Sequence, residues 1–109
     1  MCGLAGIIDL DGLDSRALRP RLAAAAERLA PRGPDAQGSW SDAHAALVHA
    51  RLKIIDLSDA AAQPMARHGG VLVYNGEIYN FATLRRELEA LGCEFSSRSD
   101  TEVLLAGWR

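Results

Sequence analysis

The chain has 109 residues, 49% of them hydrophobic and 24% charged, with a formal net charge of −2. That composition is ordinary for a soluble globular domain, and the length fits one domain at most. No basic stripe emerges, because Arg85 and Arg86 are accompanied by acidic residues, so nucleic acid is excluded as an electrostatic partner.

The longest apolar stretches, such as residues 22–26 and 103–107, are far too short to cross a bilayer. The N-terminus lacks the basic region and long apolar run of a secretory signal, so no membrane partner and a cytoplasmic location are expected. In that compartment Cys2 and Cys93 read as thiols rather than a disulfide. With three scattered histidines they make no metal-ligand spacing, and no metal is expected.

In chain order, residues 3–10 (GLAGIIDL) are apolar and β-branched enough for a buried strand, ended by the turn-prone Asp11-Gly12. Residues 18–30 are helical in pattern, with Leu22, Ala25, Ala26 and Leu29 on one face. Pro20 is tolerable only in a first turn, which predicts a start near Arg19, and Pro31, Gly33 and Pro34 close the helix. Residues 45–52 and 53–57 read as strands flanking a bend. Residues 71–74 form a short strand running into Asn75-Gly76, the strongest short hairpin signal, which predicts a type I′ turn with residues 77–79 returning. An amphipathic helix follows over residues 81–91, with Leu84, Leu88 and Leu91 as its stripe and Gly92 as its stop. Ser99-x-x-Glu102 is a capping box, which starts a last helix at Asp100 that runs to Arg109 without a stop signal.

Five positions can carry chemistry. Methionine is usually removed before a small residue, which leaves Cys2 with a thiol and a free α-amine. Both kinds of group titrate close enough to neutrality to be partly reactive at pH 7, and the amine can act as general base for the thiol without a histidine. The alternative for Cys2 is a small buried residue at a strand start. Asn75 and Gly76 offer a side-chain amide and an unshielded backbone N–H, the donors that a tetrahedral oxyanion needs; the alternative is a plain turn. Arg51 ends an apolar strand, where a guanidinium can clamp a carboxylate through two parallel hydrogen bonds. Asp100, at a helix start, can accept an ammonium group or simply stabilise the helix dipole. Taken together, a cation, an anion and a nucleophile suit the carboxylate, ammonium and amide of one amino acid. His49 reads as a buried structural histidine, with orientation of pocket groups as the alternative. Cys93 reads as a small core filler, and Tyr74, Tyr79 and Phe81 as core, with lining of the pocket as the alternative.

Five stretches carry a resemblance: MCGLAGIIDLDG, APRGPDAQG, LVHARLKIIDLSDAAAQPM, LVYNGEIYNFATLRRELEALGCEF and SRSDTEVLLAGW. In this order, and over almost the whole chain, they resemble the N-terminal class II glutamine amidotransferase domain of glutamine-dependent asparagine synthetases. RLKIIDLS with QPM points to that branch over the glucosamine-phosphate and purine-pathway amidotransferases. Two loops depart from the pattern: Ala30-Pro31 stands where many relatives carry histidine, and residues 60–62 replace a more glycine-containing turn.

The resemblance implies an α+β fold of N-terminal-nucleophile hydrolase type, a four-layer αββα sandwich of antiparallel sheets, incomplete in this chain. It implies that Cys2 is the nucleophile forming a glutamyl thioester, with Asn75 and Gly76 as oxyanion hole. Arg51 would hold the glutamine carboxylate and Asp100 its amino group. Leu52, Ile54, Ile55 and Glu77 would complete the pocket, and residues 32–35 (RGPD) would be architectural. The implied ligand is L-glutamine, with no cofactor in this domain. ATP and magnesium are expected only in a C-terminal synthetase domain, which is expected to lie outside the chain together with the later strands of the amidotransferase domain. Exposed sheet edges would then favour self-association. The rival expectation is a non-catalytic fragment or accessory interaction module.

Overall fold

The computed structural model describes residues 1–108. Its elements are β1 (Gly3–Ile8), α1 (Ser15–Leu29), β2 (Ala36–Ser41), β3 (Ala45–Arg51), β4 (Met65–Arg67), β5 (Gly70–Leu72), α2 (Phe81–Ala90) and α3 (Asp100–Gly107). The chain is α+β, with two antiparallel sheets: β1-β3-β2 and the hairpin β4-β5. α1 packs on β1 and β3, whereas α3 packs on β4 and β5 with α2 beside it.

The strand β3 is central and buried on both faces. Gly3 pairs with Ala50 and Leu4 with His49 on one side, and Ala36 pairs with Arg51 on the other. Paired residues share a face, and a Cβ on Gly3 would come within 2.8 Å of Leu29 in α1. Ala46, Val48 and Ala50 therefore face α1, all at 2% exposure or less. Their small side chains let the helix approach closely. Leu47, His49 and Arg51 turn to the other face, as the two-residue period of a strand requires. Gly33 presses on the same strand, where a Cβ would meet the Ala50 carbonyl carbon at 2.1 Å.

Several expectations hold. β1 forms over Gly3–Ile8 and is followed by the turn at Gly12, whose φ of 108° suits glycine. It is not, however, the buried strand expected over residues 3–10: Ile8 is 74% and Leu10 87% exposed. α2 stops at Gly92 in a Schellman motif: Gly92 N–H donates to Glu89 O at 3.0 Å and Cys93 N–H to Leu88 O at 3.0 Å. Ser99 caps α3 by accepting from Thr101 N–H at 3.0 Å. Gly107 is the last helical residue; the part of the expected helix that falls on Arg109 lies outside the described residues.

Other expectations are corrected. α1 begins at Ser15, not near Arg19, because Asp14 caps it from Arg16 N–H at 3.0 Å. Pro20 therefore lies inside the helix, on its exposed side, where solvent can satisfy the carbonyl one turn back. Asn75-Gly76 is not a type I′ turn. Neither residue has positive φ, whereas His68 (52°) and Gly69 (77°) both do, and these two join β4 to β5. Residues 53–57 form no strand, for a reason given below. Ala36–Ser41, unread in the sequence, pairs with β3 as an edge strand. Leu91 is 82% exposed, so the apolar stripe of α2 is narrower than its leucine spacing suggests. Tyr79 is not core either, being 90% exposed.

Candidate active site

All nine residues singled out from the sequence line one open cleft of about 440 Å³: Cys2, Arg51, Leu52, Ile54, Ile55, Asn75, Gly76, Glu77 and Asp100. Their positions have separate local causes.

Cys2 immediately precedes β1, and the Gly3–Ala50 pairing draws it alongside the end of β3. Its half-buried Sγ accepts from Leu52 N–H at 3.2 Å and lies 3.6 Å from Leu52 O. Arg32 Nε donates to the Cys2 carbonyl at 3.3 Å. The rest of the RGPD stretch supports the same strand end. Asp35 N–H donates to Arg51 O at 3.1 Å, and Asp35 Oδ2 accepts from Lys53 N–H at 2.8 Å. Met1 also borders the cleft and is 70% exposed.

Arg51, at 6% exposure, extends from the last position of β3. Nη1 donates to Ser58 O at 2.8 Å and Nη2 donates to Asp56 O. These bonds explain the absence of the expected strand over residues 53–57. A buried guanidinium must find acceptors, and the loop turns its carbonyls inward to supply them. Asp56 fastens this loop to the chain before α3: Oδ1 accepts from Ser58 N–H at 2.8 Å and Oδ2 from Arg98 N–H at 2.7 Å. The Ser58 hydroxyl and Arg98 N–H hold the Asp56 carboxyl down at about 2, helped by Arg51 nearby.

Residues 73–80 belong to no strand or helix, so their backbone groups need other partners. Tyr74 N–H donates to Gln63 Oε1 at 2.6 Å, and Tyr74 O accepts from His49 Nε2 at 3.3 Å. Ile78 N–H donates to Asp100 Oδ2 at 3.0 Å. Gly76 leaves room for the Tyr74 ring: a Cβ there would lie 2.7 Å from the Tyr74 hydroxyl, and the ring would have to move aside. Burial, together with the Asp100 and Glu77 carboxylates, pushes the Tyr74 phenol upward.

Asp100 is 5% exposed and opens α3, immediately after the Ser99 cap. Glu102 does not complete a capping box back to Ser99. Its fully buried carboxylate accepts from Ser97 N–H at 2.7 Å and the Ser97 hydroxyl at 2.6 Å. His68 Nε2 lies 3.2 Å away and Arg67 Nη1 3.3 Å. Burial raises the Glu102 carboxyl, but the Ser97 hydroxyl and the Ser96 and Ser97 N–H groups outweigh it and leave the carboxyl below its ordinary value. The first turn of α3 is thereby tied to the β4-β5 hairpin.

The cleft thus brings together a thiol, two carboxamides, one buried guanidinium and three carboxylates, a set that can hold a zwitterionic amino acid and attack its side chain. Asp56, Gln63 and Thr101 also line it and were not singled out in the sequence. Asp56 was hidden inside an apolar run read as a strand, and Gln63 stood only within the QPM motif. Among the described residues no group of three or more His, Cys, Asp or Glu side chains could hold a metal.

The family model described as glutamine amidotransferase domain matches residues 1–109. The chain is 39% identical over 112 residues to glutamine-hydrolyzing asparagine synthetase 1 of Bacillus subtilis, covering 100% of this chain and 18% of that protein. It is 38% identical over 108 residues to glutamine-hydrolyzing asparagine synthetase B of Escherichia coli, covering 97% and 19%. It is also 35% identical over 118 residues to amidase chry2 of Gibberella zeae, covering 97% and 17%. The chain therefore spans less than a fifth of the length of these relatives.

Proposed function

The chain belongs to the glutamine amidotransferase domain family, and from that premise we propose that it hydrolyses L-glutamine to glutamate and ammonia through Cys2. Removal of Met1 frees the Cys2 amine, which takes the thiol proton as Sγ attacks the side-chain amide carbon of glutamine. The oxyanion is met by the Asn75 side-chain amide and the Gly76 N–H. Collapse of the tetrahedral adduct breaks the C–N bond, and the ammonium proton of Cys2 leaves with the nitrogen as ammonia. Water, deprotonated by the same amine, then cleaves the thioester and releases glutamate.

Substrate orientation falls to the charged side chains. Arg51 has five N–H donors, of which those given to Asp56 and Ser58 leave the rest for the substrate carboxylate. Asp100 takes the substrate ammonium, while Glu77 and the backbone at Leu52, Ile54 and Ile55 complete the pocket. The observation that carries this reading is the meeting of all these groups in one cleft.

In a larger assembly resembling the relatives, the ammonia passes to an ATP- and magnesium-dependent synthetase domain that converts a β-aspartyl-adenylate to asparagine. The fold reading extends likewise, to a four-layer αββα sandwich in the cytoplasm. Support for the layering comes from α1 on one sheet and α3 on the other. Self-association through the open edges of β1 and β2 completes the proposal; a strict monomer by light scattering contradicts that last point.

Two measurements test the chemistry. N-terminal mass spectrometry is expected to find Met1 removed; its retention defeats the amine-assisted mechanism. Ammonia release from glutamine is expected in the parent and not in Cys2→Ala, and equal release by both overturns the enzyme reading in favour of a non-catalytic module. Arg51→Ala is expected to weaken glutamine affinity by about 2–5 kcal/mol, the range for truncating one partner of a buried charge pair.

A further inference from the structure

We propose that His49 and Gln63 are positioning residues that set the geometry of Asn75 and Gly76 by gripping Tyr74 at its carbonyl and its N–H. The inference rests on the reading of Asn75 and Gly76 as oxyanion donors. It begins from a backbone problem: residues 73–77 have no ladder or helix to fix them. At Tyr74, two side chains substitute for a neighbouring strand. Gln63 Oε1 accepts its N–H at 2.6 Å, and His49 Nε2 lies 3.3 Å from its carbonyl oxygen.

The second contact fixes the plane of the Tyr74–Asn75 peptide, and hence where the Asn75 side chain departs. Because a carbonyl can only accept, His49 is the Nε2–H tautomer. Its Nδ1 is then an unprotonated nitrogen, buried and without a hydrogen-bond partner among the described residues. A core histidine with one orphaned nitrogen carries a cost that an apolar residue of similar size avoids, and the contact it makes reaches only Tyr74. The ring itself is 2% exposed and anchored in β3, between neighbours paired on both sides.

Gln63 is anchored in turn. Its Nε2 donates to Thr101 Oγ1 at 3.2 Å, in the first turn of the helix that carries Asp100. The grip passes to Gly76 through packing, since the Tyr74 hydroxyl occupies the space where a Gly76 Cβ would stand. Two rigid elements, β3 and α3, thus clamp an otherwise irregular stretch by way of one residue.

The test compares the parent with His49→Ala and His49→Gln, the glutamine supplying an N–H donor at the position of Nε2. Steady-state glutamine hydrolysis and amide hydrogen exchange at Asn75 and Gly76 are read on the same proteins. For His49→Ala, kcat is expected to fall about tenfold or more, as for misplaced catalytic groups, with KM within about twofold of the parent. His49→Gln is expected to recover most of that loss. Exchange at Asn75 and Gly76 is expected to quicken in His49→Ala and to return towards the parent in His49→Gln. Unchanged kcat, a loss confined to KM, or a glutamine variant no better than alanine overturns the proposal.

Should the parent hydrolyse no glutamine, the enzyme reading falls and exchange alone decides the clamp: quickened exchange in His49→Ala supports it, and unchanged exchange overturns it. Should His49→Ala not fold, Gln63→Met removes the acceptor of the Tyr74 N–H at similar volume, and the same outcomes apply.

Discussion

β3 and residues 73–80 form two walls of the same cleft, and they are held by different chemistry. β3 is paired along both edges, and Gly33 presses against its backbone. Within residues 73–80, Tyr74 and Ile78 depend on side chains borrowed from elsewhere: His49, Gln63 and Asp100. A ladder bond belongs to the backbone and survives most substitutions. A borrowed side chain is lost with a single codon. Damage to the first wall should therefore appear as unfolding, and damage to the second as lost activity in a folded protein.

The largest expected effect probes the first wall. Gly33→Ala places a methyl where the Ala50 carbonyl stands, and backbone on both sides leaves little room to yield. A loss of roughly 3 kcal/mol or more is expected, which calorimetry reads as a Tm fall of more than about 12 °C. A near-normal Tm breaks the contrast at its rigid end. Asn75→Ala probes the second wall: kcat is expected to drop about 10²-fold, as for other oxyanion donors, with Tm little changed. A Tm loss as large as that of Gly33→Ala abolishes the distinction.

Asp56→Asn sharpens the comparison at the loop over Arg51. The folded-state pKa of Asp56 is about 2 against an ordinary 3.8, so its charged form stabilises the fold fully above the ordinary value. That contribution disappears as pH falls from there through about 2. The parent is expected to exceed Asp56→Asn in urea stability near neutrality, and the gap to close as the pH is lowered. A gap that does not vary with pH denies Asp56 this role. The smallest effect is set for Leu91→Ser, beyond both walls on an 82% exposed position. There ΔG by urea unfolding is expected to move by no more than about 0.5 kcal/mol.

What could be read in the sequence follows the same division. Gly92 stops α2 and Ser99 starts α3 through contacts within a few residues, and such signals were legible. The Asn75-Gly76 pair misled because its turn propensity is local, whereas its conformation is set from β3 and α3. The turn it promised is made instead by His68 and Gly69. Residues 53–57 look like a strand by side chain, but the guanidinium of Arg51 claims the carbonyls of Asp56 and Ser58. Ala36–Ser41 has weak strand character of its own and becomes one because β3 offers an edge. Pro20 argued for a later helix start, and the Asp14 cap outweighed it. The grouping of nine residues into one cleft was more legible than several of the elements around it. Residue identity records chemistry directly, while the partners that aim Asn75 lie 12 and 26 positions away in the chain, at Gln63 and His49.

The loop that turns its oxygens towards Arg51 must send its hydrocarbon the other way. Ile54 and Ile55 stand 59% and 40% exposed at the lip of a charged recess. Entry to the cleft is thus greasy although its interior is ionic. Any surface that caps this lip gains on the order of 25 cal/mol for each Å² of oil it removes from water. The burial of one arginine thereby leaves a standing incentive for the doorway to be covered.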